Sequence, residues 1–275
     1  AVVIAVDAVA IAEIGSIRDP YLDEVRSALQ EQFSIAPESV IINASHCHAV
    51  VAENITELTI QAVEEAWKNR VPVKAGTGTG HEDRIMINRR IRLADGTEAD
   101  ERHAYSLPHD EEVESVGPTD PEIGILRLDR VDSGKPLALV YQFSCHPIQG
   151  IPSGDNTADV SGFASQVIEE HLGDGTAMAL FLQGCGGDIN PIRYKSVTTP
   201  RDGEPLGTKL GLSTLAAAKK IKTTNDSELH VLSKTLAVPR ADLTSRTAEM
   251  EEEIAAMTKS LRGTTLNFET FVPLF

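Results

Sequence analysis

Residues 40–48 read VIINASHCH, an apolar β-branched run that leads directly into a polar stretch with two histidines. Such a run predicts a short buried strand. His46 and His48 are two residues apart, and on an extended segment their side chains point to the same side. That arrangement suits one metal ion, or one metal ligand beside one catalytic base.

Strand-like and helix-like segments alternate along the rest of the chain. Predicted strands cover residues 1–6, 71–75, 123–128, 136–143, 178–182 and 228–238, and predicted helices begin after Asp19-Pro20 and cover 53–69, 158–172, 207–221 and 246–261. A Gly-Thr run at 76–80 is expected to end its strand, and residues 93–121 are expected to form a long loop. The pattern predicts an α/β fold with mixed β-sheets layered with helices.

Both ends of the chain are apolar, whereas natural termini are usually polar. We therefore expect a single domain over residues 1–275 that is truncated at both ends. In the last predicted helix, Met250, Ile254, Met257 and Leu261 form a stripe with helical spacing, which predicts packing in a core.

Composition excludes several classes of function. The net charge is −16, and an acidic surface repels nucleic-acid phosphates, so no nucleic-acid partner is expected. No apolar run approaches the ~20 residues that span a bilayer, so no transmembrane segment is expected. No signal peptide is visible in the sequence, which leaves the compartment unknown, and the oligomeric state is equally unreadable.

Three further segments contain residues that could bind a metal ion or take part in catalysis. The strand predicted at 136–143 delivers His146 to its end, where it could ligate a metal or serve a structural role. Residues 183–191, QGCGGDINP, form a glycine-rich turn that contains Gly187, Asp188 and Asn190, and its backbone N–H groups could hold an anion. Two arginines follow Asn88; alone, Arg89 would be read as a surface residue.

A weaker signal lies at residues 153–156, SGDN. Asp155 follows His146 closely and could supply a carboxylate that hydrogen-bonds a ligating histidine. On its own, an aspartate in such a segment is more often a turn residue.

Taken in order, these segments resemble the neutral (non-lysosomal) ceramidase family. That family has a Thr-His-Thr-His segment, an Asn-Arg segment, a strand that ends in a metal-binding histidine, a Ser-Gly-Asp-Asn segment and a Gly-Asp-Val-Ser-Pro-Asn segment. The counterparts here are residues 45–48, 88–89, His146, 153–156 and 187–191. The order and rough spacing hold over most of the chain.

The resemblance implies a ceramidase-like catalytic domain that cleaves an N-acyl amide or related bond with metal-activated water. It implies Zn²⁺ as cofactor, with His46 and His146 as ligands and His48 and Arg89 near the substrate. It also implies a small-molecule or lipid-like substrate, a place in sphingolipid metabolism, and a secreted or periplasmic location. The family's other ligands, a Glu and a Tyr, would lie beyond residue 275.

One position departs from the family pattern. Asn190 stands where the family has its key serine, and an asparagine cannot act as an alkoxide nucleophile, although its amide can donate hydrogen bonds. Either water activated by the metal attacks directly, with Arg89 and Asn190 binding the developing negative charge, or the substrate differs. Ala49-Val50 also replaces the Gly-Pro pair of the family.

Two other interpretations stay open. Cys47, Cys145 and Cys185 each lie within one of these segments and could join a metal site or supply a nucleophile, although none shows Cys-x-x-Cys spacing. The chain could also be a non-catalytic metal- or ligand-binding relative that has lost the serine, or a hydrolase of a glycan or an ester.

Overall fold

The computed structural model describes residues 1–11, 17–48, 50–100, 110–150, 157–192, 202–225 and 228–260. The chain divides into two compact units, Ala1–Leu232 and Ser233–Phe275, which are described separately. That residues 1–275 form a single domain stays a prediction.

Strands and helices alternate through the first unit. Its strands are β1 (Val2–Val6), β2 (Val40–Ala44), β3 (Val73–His81), β4 (Met86–Asn88), β5 (Arg90–Leu93), β6 (Glu98–Asp100), β7 (Val113–Val116), β8 (Glu122–Arg130), β9 (Pro136–Phe143), β10 (Met178–Gln183) and β11 (Ile189–Pro191). Its helices are α1 (Tyr21–Phe33), α2 (Ile55–Lys68), α3 (Asp159–His171) and α4 (Glu204–Ala218), and the second unit contains α5 (Thr244–Ser260). The predicted α/β class is confirmed. Among the described helices, none has the length and apolar character needed to cross a bilayer.

Two sheets meet next to the predicted site. β1 and β2 form a parallel pair, and the larger sheet has the order β10-β9-β8-β3, with β9 and β10 parallel and the other pairs antiparallel. The Asn43 side chain joins the two sheets, because its amide accepts from Gln183 N–H at 2.8 Å and donates to Gln183 C=O at 3.1 Å. The carboxyl ends of β2, β9 and β10 therefore lie together, as sites in α/β proteins require.

Two hydrophobic clusters hold these layers. One surrounds β8–β10 and buries Val160, Ala164 and Ile168 of α3, which recur every four residues on one helix face. The other packs β1 and β2 against α1 through Val25 and Leu29. Burial of each side chain of valine or leucine size contributes about 1.5–3 kcal/mol to the stability of the fold. The packing of α1 and α3 therefore stabilises both sheets.

The Gly-Thr run lies inside β3, so the prediction that it ends the strand is wrong. A Cβ on Gly76 would lie 2.4 Å from the Lys222 carbonyl oxygen, and one on Gly78 would lie 2.8 Å from Ile221. The glycines occupy alternate positions, and their bare face lets the chain that follows α4 approach the sheet closely. We call this contact region the β3–α4 layer, which also contains Glu82.

The long loop predicted over residues 93–121 is wrong in part. β6 and β7 both pair with β5 and form a small antiparallel sheet, whereas residues 101–109 lie outside the described part. These short strands consist mostly of polar residues, so the sequence lacks the apolar alternation by which a strand is usually predicted.

Two predictions near the C-terminal end are also wrong. The described residues of the segment 228–238 form no strand, and Leu232 is 93% exposed, because these residues pair with no described strand. Met250, Ile254 and Met257 of α5 are all exposed, so these three residues are not part of a core, and Leu261 lies outside the described residues.

Candidate metal centre

Three histidines converge where β2 and β9 end. His46 follows β2 by two residues, and His146 follows β9 by three. One ligand atom from each of His46, His48 and His146 lies within 4.8 Å of the others. The Nε2 atoms of His46 and His48 are 3.4 Å apart, and the ring centroids of His46 and His146 are 4.4 Å apart. We call this group the histidine cluster.

His46 reaches the cluster through an unusual backbone conformation. Its φ is 62°, in the left-handed region, so the extended segment predicted for residues 46–48 is wrong although the two side chains do meet. This conformation costs a non-glycine residue about 1–2 kcal/mol. A hydrogen bond of 2.6 Å from His46 Nδ1 to the Val9 carbonyl oxygen holds the ring in place.

His146 is fixed by the glycine-rich turn. Its backbone N–H donates to Ile189 C=O at 2.9 Å, and its Nδ1 lies 2.5 Å from Gly186 C=O and 3.2 Å from Ile189 C=O. Carbonyl oxygens can only accept, so Nδ1 of both His46 and His146 carries the proton. Nε2 of each ring is thereby left with a free lone pair, the form in which metal-ligating histidines are usually held.

Electrostatics keep two of the rings neutral. Burial lowers the pKa of His146 and His46 lowers it further, to about 4, against the opposing effect of the carbonyl hydrogen bonds. Burial and His46 also lower the pKa of His48. Because a metal competes with protons for imidazole nitrogen, rings that are neutral at pH 7 are ready to bind one.

Arg89 lies beside the cluster. β4 and β11 pair, so that Asn88 stands opposite Ile189, and Arg89 N–H donates to Asp188 C=O at 2.8 Å. The Asn88 amide donates to the Asp188 carboxylate at 3.0 Å. The Arg89 guanidinium is close enough to lower the pKa of His146 and forms a long ion pair of 3.7 Å with Asp100.

Asn190 and Gly187 have different surroundings. Asn190 is buried opposite Ile87, one residue beyond the carbonyl that fixes His146. Gly187 is exposed, and a Cβ there would meet no described atom within 4 Å, so space does not require glycine. The N–H groups of Gly186 and Ile189 donate within the turn, which removes these two from the predicted anion-binding set.

Asp155 lies in the segment 151–156, outside the described residues. The structure instead brings a different carboxylate, Asp159, near His48. Its charge opposes the lowering of the His48 pKa without reversing it. Sequence reasoning missed it. The available signal was an acidic residue in the first turn of the helix predicted at 158–172.

The three cysteines are neighbours of this arrangement but not members of it. Cys47 and Cys145 are buried, Cys185 is exposed, and the histidine cluster contains none of them. Burial raises the pKa of the Cys145 thiol, which disfavours the thiolate that a nucleophile requires.

A groove of about 990 Å³ runs along β3 and α4, and its lining residues include Thr79, Glu122 and Lys220. None of the three clustered histidines lines it. This groove is therefore separate from the candidate metal centre.

The donor set fits a metal ion. A tetrahedral ion with metal–nitrogen distances of about 2.0–2.1 Å has ligand atoms about 3.3–3.4 Å apart. The 3.4 Å between Nε2 of His46 and Nε2 of His48 agrees with such an edge. Three imidazoles suit a catalytic site, since catalytic zinc sites commonly use three protein ligands and leave one position open.

No protein-family model and no curated protein matches the sequence. Among solved structures, the chain is similar to the neutral ceramidase from Pseudomonas aeruginosa, with a TM-score of 0.56 and 16% identity. A structure described as a ceramidase complexed with C2 gives 0.55 and 16%. Each alignment covers 73% of this chain and 34% of the ceramidase chain, so this chain spans about a third of their length. The chain has a neutral ceramidase-like fold, in a divergent form.

Proposed function

We propose that this chain carries the metal centre of a zinc-dependent hydrolase that cleaves an N-acyl amide or a related bond. The observation that carries the proposal is the convergence of three imidazoles, two of which have Nδ1 bonded to carbonyl oxygens, so that Nε2 is the nitrogen left to bind a metal. The ceramidase-like fold supports a hydrolase rather than a purely structural metal site.

His46, His48 and His146 would hold the ion. Imidazole nitrogens are typical zinc ligands, although they also suit copper, iron and nickel, so zinc is the member of this set that hydrolytic chemistry favours. When bound, the ion would supply Lewis-acid chemistry, which acidifies water and polarises a carbonyl group. His48 is the most exposed of the three, and it would be either the third ligand or the acceptor of the water proton.

Two residues would handle the charge that develops during cleavage. Arg89 lies close enough to His146 to affect its pKa, and its guanidinium would stabilise negative charge on the carbonyl oxygen of the substrate. Asn190 is held rigidly in β11 and would supply an amide donor from the same side. A buried, fixed donor needs no reorganisation when the charge forms.

The substrate class rests on the fold alone. The similarity to ceramidases supports a lipid-like N-acyl amide, and this chain spans about a third of those proteins. Asn190, at the place of the family's serine, favours a second candidate: a relative that binds the metal or a ligand without turnover. The same residue also leaves room for a hydrolase of an ester or a glycan.

The test combines metal content with turnover. Zinc per chain would be measured by mass spectrometry in the wild type, in a His46→Ala, His146→Ala double variant, and in His171→Ala as control, because His171 is exposed on α3. We expect about one zinc per chain in the wild type and the control and none in the double variant. A screen against fluorogenic short-chain N-acyl amides, esters and glycosides then separates the candidates. Metal without turnover favours the binding relative, and a wild type that takes up no zinc contradicts the proposal.

A further inference from the structure

We propose that Asp159 is a positioning residue of the histidine cluster: its buried carboxylate ties the turn after His146 to the start of α3, and its backbone N–H links α3 to the segment 46–48 through Thr157. This inference rests on the proposed metal centre. Asp159 is neither one of the proposed metal ligands nor one of the residues, Arg89 and Asn190, that would stabilise the developing charge.

The carboxylate is fully buried and serves several backbone donors. Asp159 is 0% exposed. Its Oδ1 accepts from Val160 N–H at 2.7 Å, and its Oδ2 accepts from Gly150 N–H at 2.7 Å. The N–H of Gln149 also donates to it. Burial raises the pKa of Asp159, and these N–H donors oppose the rise and fix the carboxyl group in one orientation.

These contacts anchor the chain that leaves His146. Gln149 and Gly150 follow His146 by three and four residues, so their N–H groups fix the turn beyond the imidazole. The glycine-rich turn fixes His146 from the other side, through Gly186 and Ile189. The ring is thus held from two directions, and Asp159 supplies one of them.

A second set of contacts reaches the other two histidines. Cys47, which lies between His46 and His48, donates its thiol to Thr157 C=O at 3.3 Å. Thr157 in turn accepts Asp159 N–H on its hydroxyl at 2.9 Å. Burial and His46 lower the pKa of His48, and the charge of the Asp159 carboxylate opposes them.

The backbone at Asp159 supports a specific role. Its φ is 51°, in the left-handed region that favours glycine. A helix-capping carboxylate requires neither this conformation nor full burial, and a bond to Val160 N–H would satisfy it. Residues held in such conformations cluster at functional sites, where the surrounding structure fixes them.

The test is the Zn²⁺ dissociation constant of the full chain, measured by isothermal titration calorimetry. Asp159→Asn keeps the volume and tolerates the left-handed backbone but loses the charge and one acceptor. The matched control is Asp129→Asn, a buried aspartate that pairs with Arg127 away from the cluster. We expect Zn²⁺ binding to weaken by about 10–100-fold in Asp159→Asn, as for other groups that orient metal ligands, and by less than threefold in the control.

Two further measurements keep the inference falsifiable. Asp159→Gly removes the carboxylate while relieving the backbone, so it serves if the asparagine variant does not fold. Imidazole ¹H–¹⁵N spectra without metal show directly whether the three rings move. Wild-type affinity in both variants, or unchanged imidazole signals, would overturn the role of Asp159 alone. If the wild type itself binds no Zn²⁺, the proposed metal centre fails, and the inference fails with it.

Discussion

The histidine cluster and the β3–α4 layer both bury polar groups, but they use them in opposite ways. In the β3–α4 layer the Glu82 carboxylate is fully buried and accepts bonds from Arg84 and from Ser213 at 2.7 Å. All of these hydrogen-bond donors belong to the protein itself. In the cluster, Nδ1 of His46 and His146 is bonded to carbonyl oxygens, and Nε2 of His46 lies 3.4 Å from Nε2 of His48.

This difference separates structural from functional polarity. A buried group whose partners are all in the chain stabilises the fold, whereas the lone pair on Nε2 of His46 and of His146 can be offered to a cation. The cluster therefore keeps bonding capacity that a metal ion would use. Four measurements would break or sharpen the comparison.

The largest effect is expected for His146→Ala. His146 is the most buried of the three rings, so its loss removes the best-ordered ligand and one of the two donors to the Gly186 carbonyl. We expect Zn²⁺ binding to weaken by more than 100-fold, measured by competition with a chromogenic chelator. His171→Ala should bind as the wild type does, and a variant that retained stoichiometric zinc would contradict a ligand role for His146.

His48→Ala divides the two roles left open for this residue. As third ligand, its loss should weaken Zn²⁺ binding on the order of 100-fold. As proton acceptor alone, its loss should leave the affinity intact and lower kcat by about 10²–10⁴-fold. We expect the first outcome because of the 3.4 Å contact between Nε2 of His48 and Nε2 of His46. Affinity and kcat measured on the same preparation decide between them.

Gly76→Ala should destabilise the β3–α4 layer without touching the cluster. The new Cβ would stand 2.4 Å from the Lys222 carbonyl oxygen, and backbone must move to admit it. We expect a loss of about 2 kcal/mol in the free energy of unfolding, measured with urea on the metal-free protein. Gly134→Ala is unsuitable as control because of its positive φ, whereas Gly187→Ala meets open space. Equal stability of Gly76→Ala and Gly187→Ala would refute the close approach.

The smallest effect concerns pH. Burial raises the pKa of Glu82, but the bonds from Arg84 and Ser213 outweigh it and lower the value to about 2. A lowered pKa means that the contribution is complete above the unfolded value of about 4.3 and is lost as the pH falls toward 2. The difference in unfolding free energy between wild type and Glu82→Gln should therefore be on the order of 1–2 kcal/mol at pH 6 and shrink below pH 4. A difference that is constant from pH 6 to pH 3 would argue against the lowered pKa.

Much of the site was accessible from local sequence. The apolar run before His46 and the strand before His146 indicate where each histidine leaves a sheet, and both strands are confirmed. The α/β class and the ceramidase-like fold are confirmed as well. These features depend on short segments, so a pattern of a few residues is enough to predict them.

What could not be predicted depends on contacts between distant residues. The ring of His46 is held by Val9, and the carboxylate of Asp159 is bonded by the turn at Gly150. The glycine run is a strand because it pairs with β8, which lies far along the chain. No local pattern encodes such partners. The roles assigned to His48, Arg89 and Asn190 stay predictions.

The placement of the histidines also has a topological consequence. His46 leaves the two-stranded sheet and His146 leaves the four-stranded sheet, about 100 residues later in the chain. An ion held by both would act as a reversible cross-link that closes this long loop. A covalent link across a loop of that length lowers the conformational entropy of the unfolded chain. In the chain-entropy model this stabilises the folded state by about 4–5 kcal/mol, which is an upper limit for a reversible metal link. Chelation would then loosen the seam between the sheets, and susceptibility to proteases there would report the loss of metal before any change in secondary structure.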